Sequence, residues 1–359
     1  NMEPGILSDL LVNGVIAGLG SVLVFLPQIT ILFAFILLLE DSGYLPRAAF
    51  LLDNLMAKSG LSGRSFIPLL SSFACAVPAV MSARTINDPR ERLVTIAVAP
   101  LLTCSARLPV YALIIAAVIP NRTVGGIFNL QGLTLFILYL AGILSAALAA
   151  YIMKRLARMK GNVQQFPLLM ELPTFRTPNF KHIMTSLWDR VKAFLKRAGT
   201  IIFALAVVLW GLVSWPQPPE GATGAAIDYS LAGTLGHAIQ PLFAPLGFTW
   251  EMCIAMIPGI AAREVVVAAL GTVYAVSASS EDAVQNALIP IIHNNWGLPT
   301  AFAFLAWYVY APMCAATLTV IRRETKSTKN MLMITGYLFL MAYFAAFVVY
   351  QLSSRILSS

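Results

Sequence analysis

The chain has 359 residues, a formal net charge of +8, 58% hydrophobic residues and 11% charged ones. A mean hydropathy of +0.79 excludes a soluble globular domain, which cannot hide so much apolar side chain from water, and calls for a polytopic membrane protein. Lys and Arg gather in short stretches between apolar segments, a pattern that reports membrane orientation and excludes nucleic acid as the partner.

Apolar stretches of roughly 20 residues, enough to cross about 30 Å of hydrocarbon, lie at 5–26, 93–119, 131–153, 197–215, 300–321 and 330–352, with a shorter one at 27–39. Two more, 65–84 and 251–276, are apolar but interrupted, by Pro78 and by Pro258-Gly259. This predicts an all-α fold of about seven to eight transmembrane helices. No charged leader with a small-residue cleavage site opens the chain, and Asn1 ahead of Met2 reads as the start of a trimmed piece. The stretch 154–196 is too polar and proline-broken to cross. Its latter part spaces Ile183, Leu187, Val191 and Leu195 as one face of an amphipathic connector, suited to a membrane surface or a cytoplasmic partner.

The positive charges choose between two arrangements. If both interrupted segments dip in and return, the cytoplasmic pieces 41–64, 84–92, 154–197 and 322–329 hold 20 Lys and Arg against 2 outside. If both cross once, with 5–26 on the surface, 84–92 stays inside while 41–64 and 322–329 go outside, and the ratio falls to 14 against 8. The first is favoured. Broken backbone at membrane depth is tolerated only inside protein or along a watery cavity, so the interruptions mark an interior site.

A pattern recurs between the halves. "VPAVMSAR" and "APLLTCSARLP" in the first answer to "IPGIAARE" and "YAPMCAATL" in the second, pairing Pro78 with Pro258, Arg84 with Arg263, Pro100 with Pro312, and Cys104 with Cys314. In the favoured arrangement the halves are inverted, the organisation that brings discontinuous helices together near the midplane of many transporters.

All four cysteines lie in apolar segments, which fits neither a disulfide framework nor a CxxC zinc site. A proline in a membrane helix frees carbonyls that coordinate cations, and a thiolate adds a soft ligand for borderline-soft divalent metals. Cys75, three residues before Pro78, supplies both, and Cys104 and Cys314 are proline-flanked near mid-segment. Cys253 is read as packing; Met81 and Met313 are possible thioether ligands, although a Met in a membrane helix more often packs. Arg107 and the pair Arg263-Glu264 are charges within apolar segments. The arginines suit carbonyls left open by a broken helix, with Glu264 balancing charge. Glu40-Asp41 at a helix end offers oxygen ligands at the interface. His182, His237 and His293 form no cluster. No GxxxxGK[ST] loop, HExxH helix or Ser-His-Asp set occurs, so no nucleotide site and no catalytic activity is expected of these residues.

"FLPQITILFAFILLLEDSGYLPRAAFLLDNLM", "GLSGRSFIPLLSSFACAVPAVMSARTI", "APLLTCSARLPVYAL", "MELPTFRTPNF" and "IPGIAAREVVV" resemble the ferrous iron transport protein B family, FeoB. The resemblance implies a multi-pass importer of Fe²⁺ in the bacterial inner membrane, built on two gate-type repeats. Residues 1–153 then hold the first repeat with flanking helices, 154–196 the cytoplasmic connector, 197–321 the second repeat and 322–359 a C-terminal transmembrane helix. It also implies metal-pathway roles for Cys75, Cys104 and Cys314, with Glu40, Asp41 and Glu264 supporting; Met313 joins them as a supporting candidate on its thioether alone. A cytoplasmic GTP-binding domain, usual in the family, is expected on a longer form of the chain or on a separate one; homo-oligomers are possible. Many members read Gly-Cys-Asn-Val-Pro where this chain reads Ala-Cys-Ala-Val-Pro, so position 76 offers no Asn ligand.

Two other classes compete with metal import. An organic-solute carrier on the same architecture needs several hydrogen-bonding groups converging, and the segment around Cys75 offers chiefly Ser71, Ser72 and Ser82. A non-transporting membrane component would act through the connector instead.

Overall fold

The computed structural model describes residues 15–58, 61–124, 128–158, 175–214, 216, 229–261, 263, 265–274, 281–312 and 314–358. The fold is all-α apart from one antiparallel pair of two-residue strands, β1 (Thr123–Val124) and β2 (Phe128–Asn129). α1 (Ala17–Asp41) runs straight through Pro27, where the sequence reading ends one segment and begins another. Neighbouring turns in a membrane helix absorb the hydrogen bond that proline removes. α2 (Tyr44–Lys58) follows after a turn at Gly43, whose φ of 78° favours glycine.

Two short helices, α3 (Phe66–Ser72) and α4 (Ala76–Ser82), pack against each other. α5 (Pro89–Val98) starts with Asp88 accepting from the Arg90 amide and Pro89 in the first turn, where its missing N–H costs nothing. After an unwound stretch comes α6 (Leu108–Val118), then the β pair, then α7 (Leu130–Arg158). The connector ends in α8 (Phe180–Phe194), and α9 (Thr200–Ser214) follows a π-helical turn.

The second half repeats the scheme. α10 (Leu231–Phe243) bends by 106° into α11 (Trp250–Ala261) through Gly247, at φ 73°. α12 (Val265–Val273) packs back on α11 as α4 does on α3. α13 (Glu281–Asn295), α14 (Leu298–Tyr310), α15 (Ala315–Thr325) and α16 (Thr328–Ser358) complete the chain. An interrupted hairpin followed by an interrupted crossing thus occurs twice, in keeping with an inverted repeat.

Among the described residues the expected seven to eight transmembrane helices are not found. Among the described residues four spans are long and apolar enough to cross: Pro89–Val118, Leu130–Leu156, Leu298–Thr325 and Thr328–Ile356; the bent α10–α11 pair makes at most a fifth. The apolar segments overcounted crossings for two physical reasons. The described parts of 5–26 and 27–39 form one helix, and 197–215 yields only the 15-residue α9.

All four pieces assigned to the cytoplasm meet at one end. The Ser62 amide and Ser65 hydroxyl donate to Glu91 Oε1 at 2.6 and 2.9 Å, tying 41–64 to 84–92. Arg84 makes a two-pronged ion pair with Glu324 at 2.6 and 2.5 Å, tying 84–92 to the end of α15. Arg190 bonds Glu40 at 3.0 Å, the Asn179 amide donates to Asp41 at 2.7 Å, and the Arg47 guanidinium sits 3.8 Å from the centre of the Phe175 ring, tying the connector to α1 and α2. The arrangement that puts 84–92 and the 322–329 piece on opposite faces is therefore excluded. The α3–α4 hairpin leaves this end and returns to it.

Two apolar cores hold the bundle. One joins α6 with α11 to α14 and α16, around Tyr111, Met252, Phe304 and Trp307; the other joins α4, α5, α7, α15 and α16, around Val80, Ile96, Ala150, Ile321 and Leu338.

Candidate functional site

The first break is not at Pro78 but three residues earlier. Phe73 and Ala74 turn, Cys75 is extended at φ −154° and ψ 131°, and Pro78 is the third residue of α4. A proline is tolerated in a first turn, but a continuous helix would need its missing N–H to reach the Ala74 carbonyl and would drive its ring into that group. The chain therefore unwinds ahead of it. The freed Ala74 carbonyl accepts instead from the Ser105 hydroxyl at 3.0 Å, so this break is joined to the next.

That second break runs from Ala99 to Arg107, through a 3-10 turn at Ala99–Leu101 and another at Ser105–Arg107, with extended backbone at Cys104 between them. Cys104 is mid-crossing, as its place in the sequence implies, but in unwound chain rather than helix. A Cβ on Gly142 of α7 would approach Leu101 O to 3.1 Å and Thr103 Oγ1 to 3.3 Å, so glycine sets how closely α7 passes. Arg107 is fully buried and donates back to Pro100 O at 2.8 Å and Leu101 O at 3.3 Å.

The third break separates α14 from α15. Pro312 cannot bond the Tyr308 carbonyl, and Arg263 does so in its place at 3.1 Å while also holding Ala311 O at 2.5 Å. The Tyr308 hydroxyl returns a bond to Arg263 O at 2.8 Å. Both buried arginines thus cover carbonyls released by a broken helix, as the sequence suggests. Arg84, paired with Arg263 by sequence, does not share its role, because Arg84 is exposed in an ion pair; Arg107 is the residue that, like Arg263, covers opened carbonyls. Glu324 raises the Arg84 guanidinium above its usual value.

Cys75, Cys104 and Cys314 share one geometry: each is a half-buried cysteine on extended backbone, immediately ahead of a helical segment. Ser105 bonding Ala74 sets the Cys104 and Cys75 segments side by side, α4 packs on α15, and Cys314 lies within Coulombic reach of Cys104. The Cys314 thiol faces the Thr317 amide and hydroxyl, where an N-cap acceptor sits, without closing a bond of capping geometry. Among the described residues, however, no group of three His, Cys, Asp or Glu is close enough to hold an ion.

The other candidates part company with the thiols. Glu40 and Asp41 engage the connector, bonding Arg190 and the Asn179 amide. Glu264 and Met313 lie outside the described residues. Cys253 is buried in the core, 1% exposed, and Met81 packs half-buried in the second core. Ile183 and Val191 of α8 are buried, and the helix packs on α1. Sequence reasoning missed Ser105 and Glu324. Counting back four residues from each proline to find its orphaned carbonyl would have asked for a donor like Ser105; nothing in the sequence points to Glu324.

A family profile described as "Gate: Nucleoside recognition" matches residues 22–118 and 195–328, and one described as "Ferrous iron transport protein B C terminus" matches 135–190. Among curated relatives, the Fe(2+) transporter FeoB of Leptospira interrogans serovar copenhageni is 42% identical over 98% of this chain and 52% of its own length. That of Leptospira biflexa is 40% identical over 98% and 52%, and that of Staphylococcus aureus strain COL 40% over 96% and 49%. The chain spans about half the length of these relatives. No solved structure matches it. With the gate profile covering more than half of its residues and FeoB relatives aligned along nearly all of them, the chain belongs to the FeoB family and is a multi-pass chain of the bacterial inner membrane.

Proposed function

We propose that the chain carries ferrous iron across the membrane, past the thiols of Cys75, Cys104 and Cys314. The observation that carries this reading is that each thiol precedes a helical segment at an unwound stretch, two of these stretches being joined through Ser105 and Ala74. A metal ion displaces the proton of the thiol that binds it, and thiolates select borderline-soft divalent ions over Mg²⁺ and Ca²⁺. With no three-residue cage among the described residues, the ion passes from one thiol to the next, helped by backbone carbonyls, and such shallow binding permits release. Glu264 and Met313, next to Arg263 and Cys314 in sequence, are supporting ligands. A GTP-binding domain, on the same longer protein or on another chain, supplies the coupling.

A second reading, carriage of an organic solute, draws on the description of the gate profile as nucleoside recognition. Both are tested by uptake into anaerobic proteoliposomes of Fe²⁺ and of uridine, by the parent and by Cys75→Ser, Cys104→Ser and Cys314→Ser. The metal route predicts iron uptake that falls at least tenfold in each variant with folding intact. Equal uptake in all three overturns the thiol path, and uridine uptake without iron uptake favours the second reading.

A further inference from the structure

The tripeptide Ala-Pro-Leu occurs twice in the chain, once in each half, and folds the same way both times. Ala99–Leu101 and Ala244–Leu246 are 3-10 turns that close a helix, α5 in the first half and α10 in the second. Their bonding agrees position by position. The Ala99 amide donates to Thr95 O and the Ala244 amide to Gln240 O, each four residues back, while the Leu102 amide donates to Ala99 O at 3.3 Å and the Gly247 amide to Ala244 O at 2.9 Å, each three back. Tightening from four to three strands the same carbonyl in each turn: the Leu101 amide turns back to Val98 and leaves Ala97 O, and the Leu246 amide turns back to Phe243 and leaves Leu242 O. A tyrosine of α16 serves each of these carbonyls. The Tyr337 hydroxyl donates to Ala97 O, and the Tyr343 hydroxyl to Leu242 O at 2.9 Å. Further along the same helix, the Tyr350 ring occupies the space that a Cβ on Gly247 would need, so the bend is seated on α16 as well.

Six residues separate the two donors, about 9 Å of helix axis, and the helix's own backbone bonds fix that rise. Neither turn can then slide along α16 without giving up a hydroxyl bond. The first turn opens the break that carries Cys104, three residues beyond Leu101; the second begins the 106° bend into α11. We propose, resting on the thiol path as the route, that α16 couples the two halves: Tyr337 and Tyr343 hold the two Ala-Pro-Leu turns at a fixed spacing, so that the Cys104 break and the α10–α11 bend move together. Both tyrosines are positioning residues for Cys104, one directly and one through the helix they share.

The test reads the thiol itself. The purified chain in lipid nanodiscs is labelled with N-ethylmaleimide, and peptide mass spectrometry follows Cys104 and, as an internal reference, Cys253, which is 1% exposed in the core. Tyr337→Phe and Tyr343→Phe each remove a hydroxyl and keep the ring. Loss of one such bond from an opening equilibrium should speed Cys104 labelling about fivefold in Tyr337→Phe and about twofold in Tyr343→Phe, whose bond lies in the other half, with Cys253 labelling unchanged in both. Leu340→Ala, which alters an exposed side chain between the two tyrosines, should leave the Cys104 rate as it is. An unaltered Cys104 rate in Tyr343→Phe overturns the coupling and leaves two independent caps. Equal acceleration at Cys104 and Cys253, or the same acceleration in Leu340→Ala, overturns it as general loosening. Neither iron nor uptake enters the measurement, so failure of the thiol path in proteoliposomes and failure of the coupling are read separately.

Discussion

Arg107 and Arg263 are two answers to one problem. Each is buried and covers carbonyls that a proline-broken helix has released, yet Arg107 bonds groups six and seven residues back in its own segment, while Arg263 reaches across 45 and 48 residues to another crossing. The first is a local pin; the second ties the α11–α12 hairpin to the α14–α15 break. The difference teaches that a repeat can conserve a physical task while moving the residue that performs it from one element to another.

Arg263→Met should be the most damaging change. It strips two carbonyls and removes the side chain around which Tyr308 is placed, at a cost of about 3–5 kcal/mol, read as lost monodispersity and a collapsed melting transition in detergent. Arg107→Met should cost less, about 1–3 kcal/mol, because its bonds stay within one segment and no contact between crossings is lost; a loss equal to that of Arg263→Met would erase the distinction between pin and tie. Ser105→Ala comes next. It strands the Ala74 carbonyl for about 1 kcal/mol, and because it unhooks the Cys75 break from the Cys104 break it should slow iron uptake more than it lowers Tm. The smallest effect is expected of Glu324→Gln. Its partner Arg84 is largely exposed, so stability should fall by under about 1 kcal/mol and by less in high salt.

Hydropathy and charge located the long crossings 131–153, 300–321 and 330–352 to within a few residues, because lipid exposure imposes one composition on a whole helix. Positive charges likewise grouped four loops that the ion pairs of Arg84 and Arg190 do bring to one end. Crossing number was misread because hydropathy reports what a segment tolerates, not how far it runs before it breaks: 197–215 reads as one crossing, yet its helix is 15 residues long. The α10–α11 bend went unseen, since Thr234, His237 and Gln240 dilute the apolar signal there. At the site, prolines and cysteines were visible as residue types. The donors that cover the opened carbonyls were not all visible, because Ser105 acts 31 residues from its acceptor and nothing local marks it.

The ion pair between Arg84 and Glu324 closes a loop of 240 residues, and the Tyr337 hydroxyl reaches the Ala97 carbonyl across the same separation. A ribosome adding about 5–20 residues per second needs roughly 12–48 s to bridge that gap. Throughout that interval the first hairpin sits in the bilayer with its cysteine break unbraced by α15. Biogenesis is then a period of waiting, in which the early half must be shielded, by the insertion machinery or by lipid, until the last quarter of the chain arrives to fasten it.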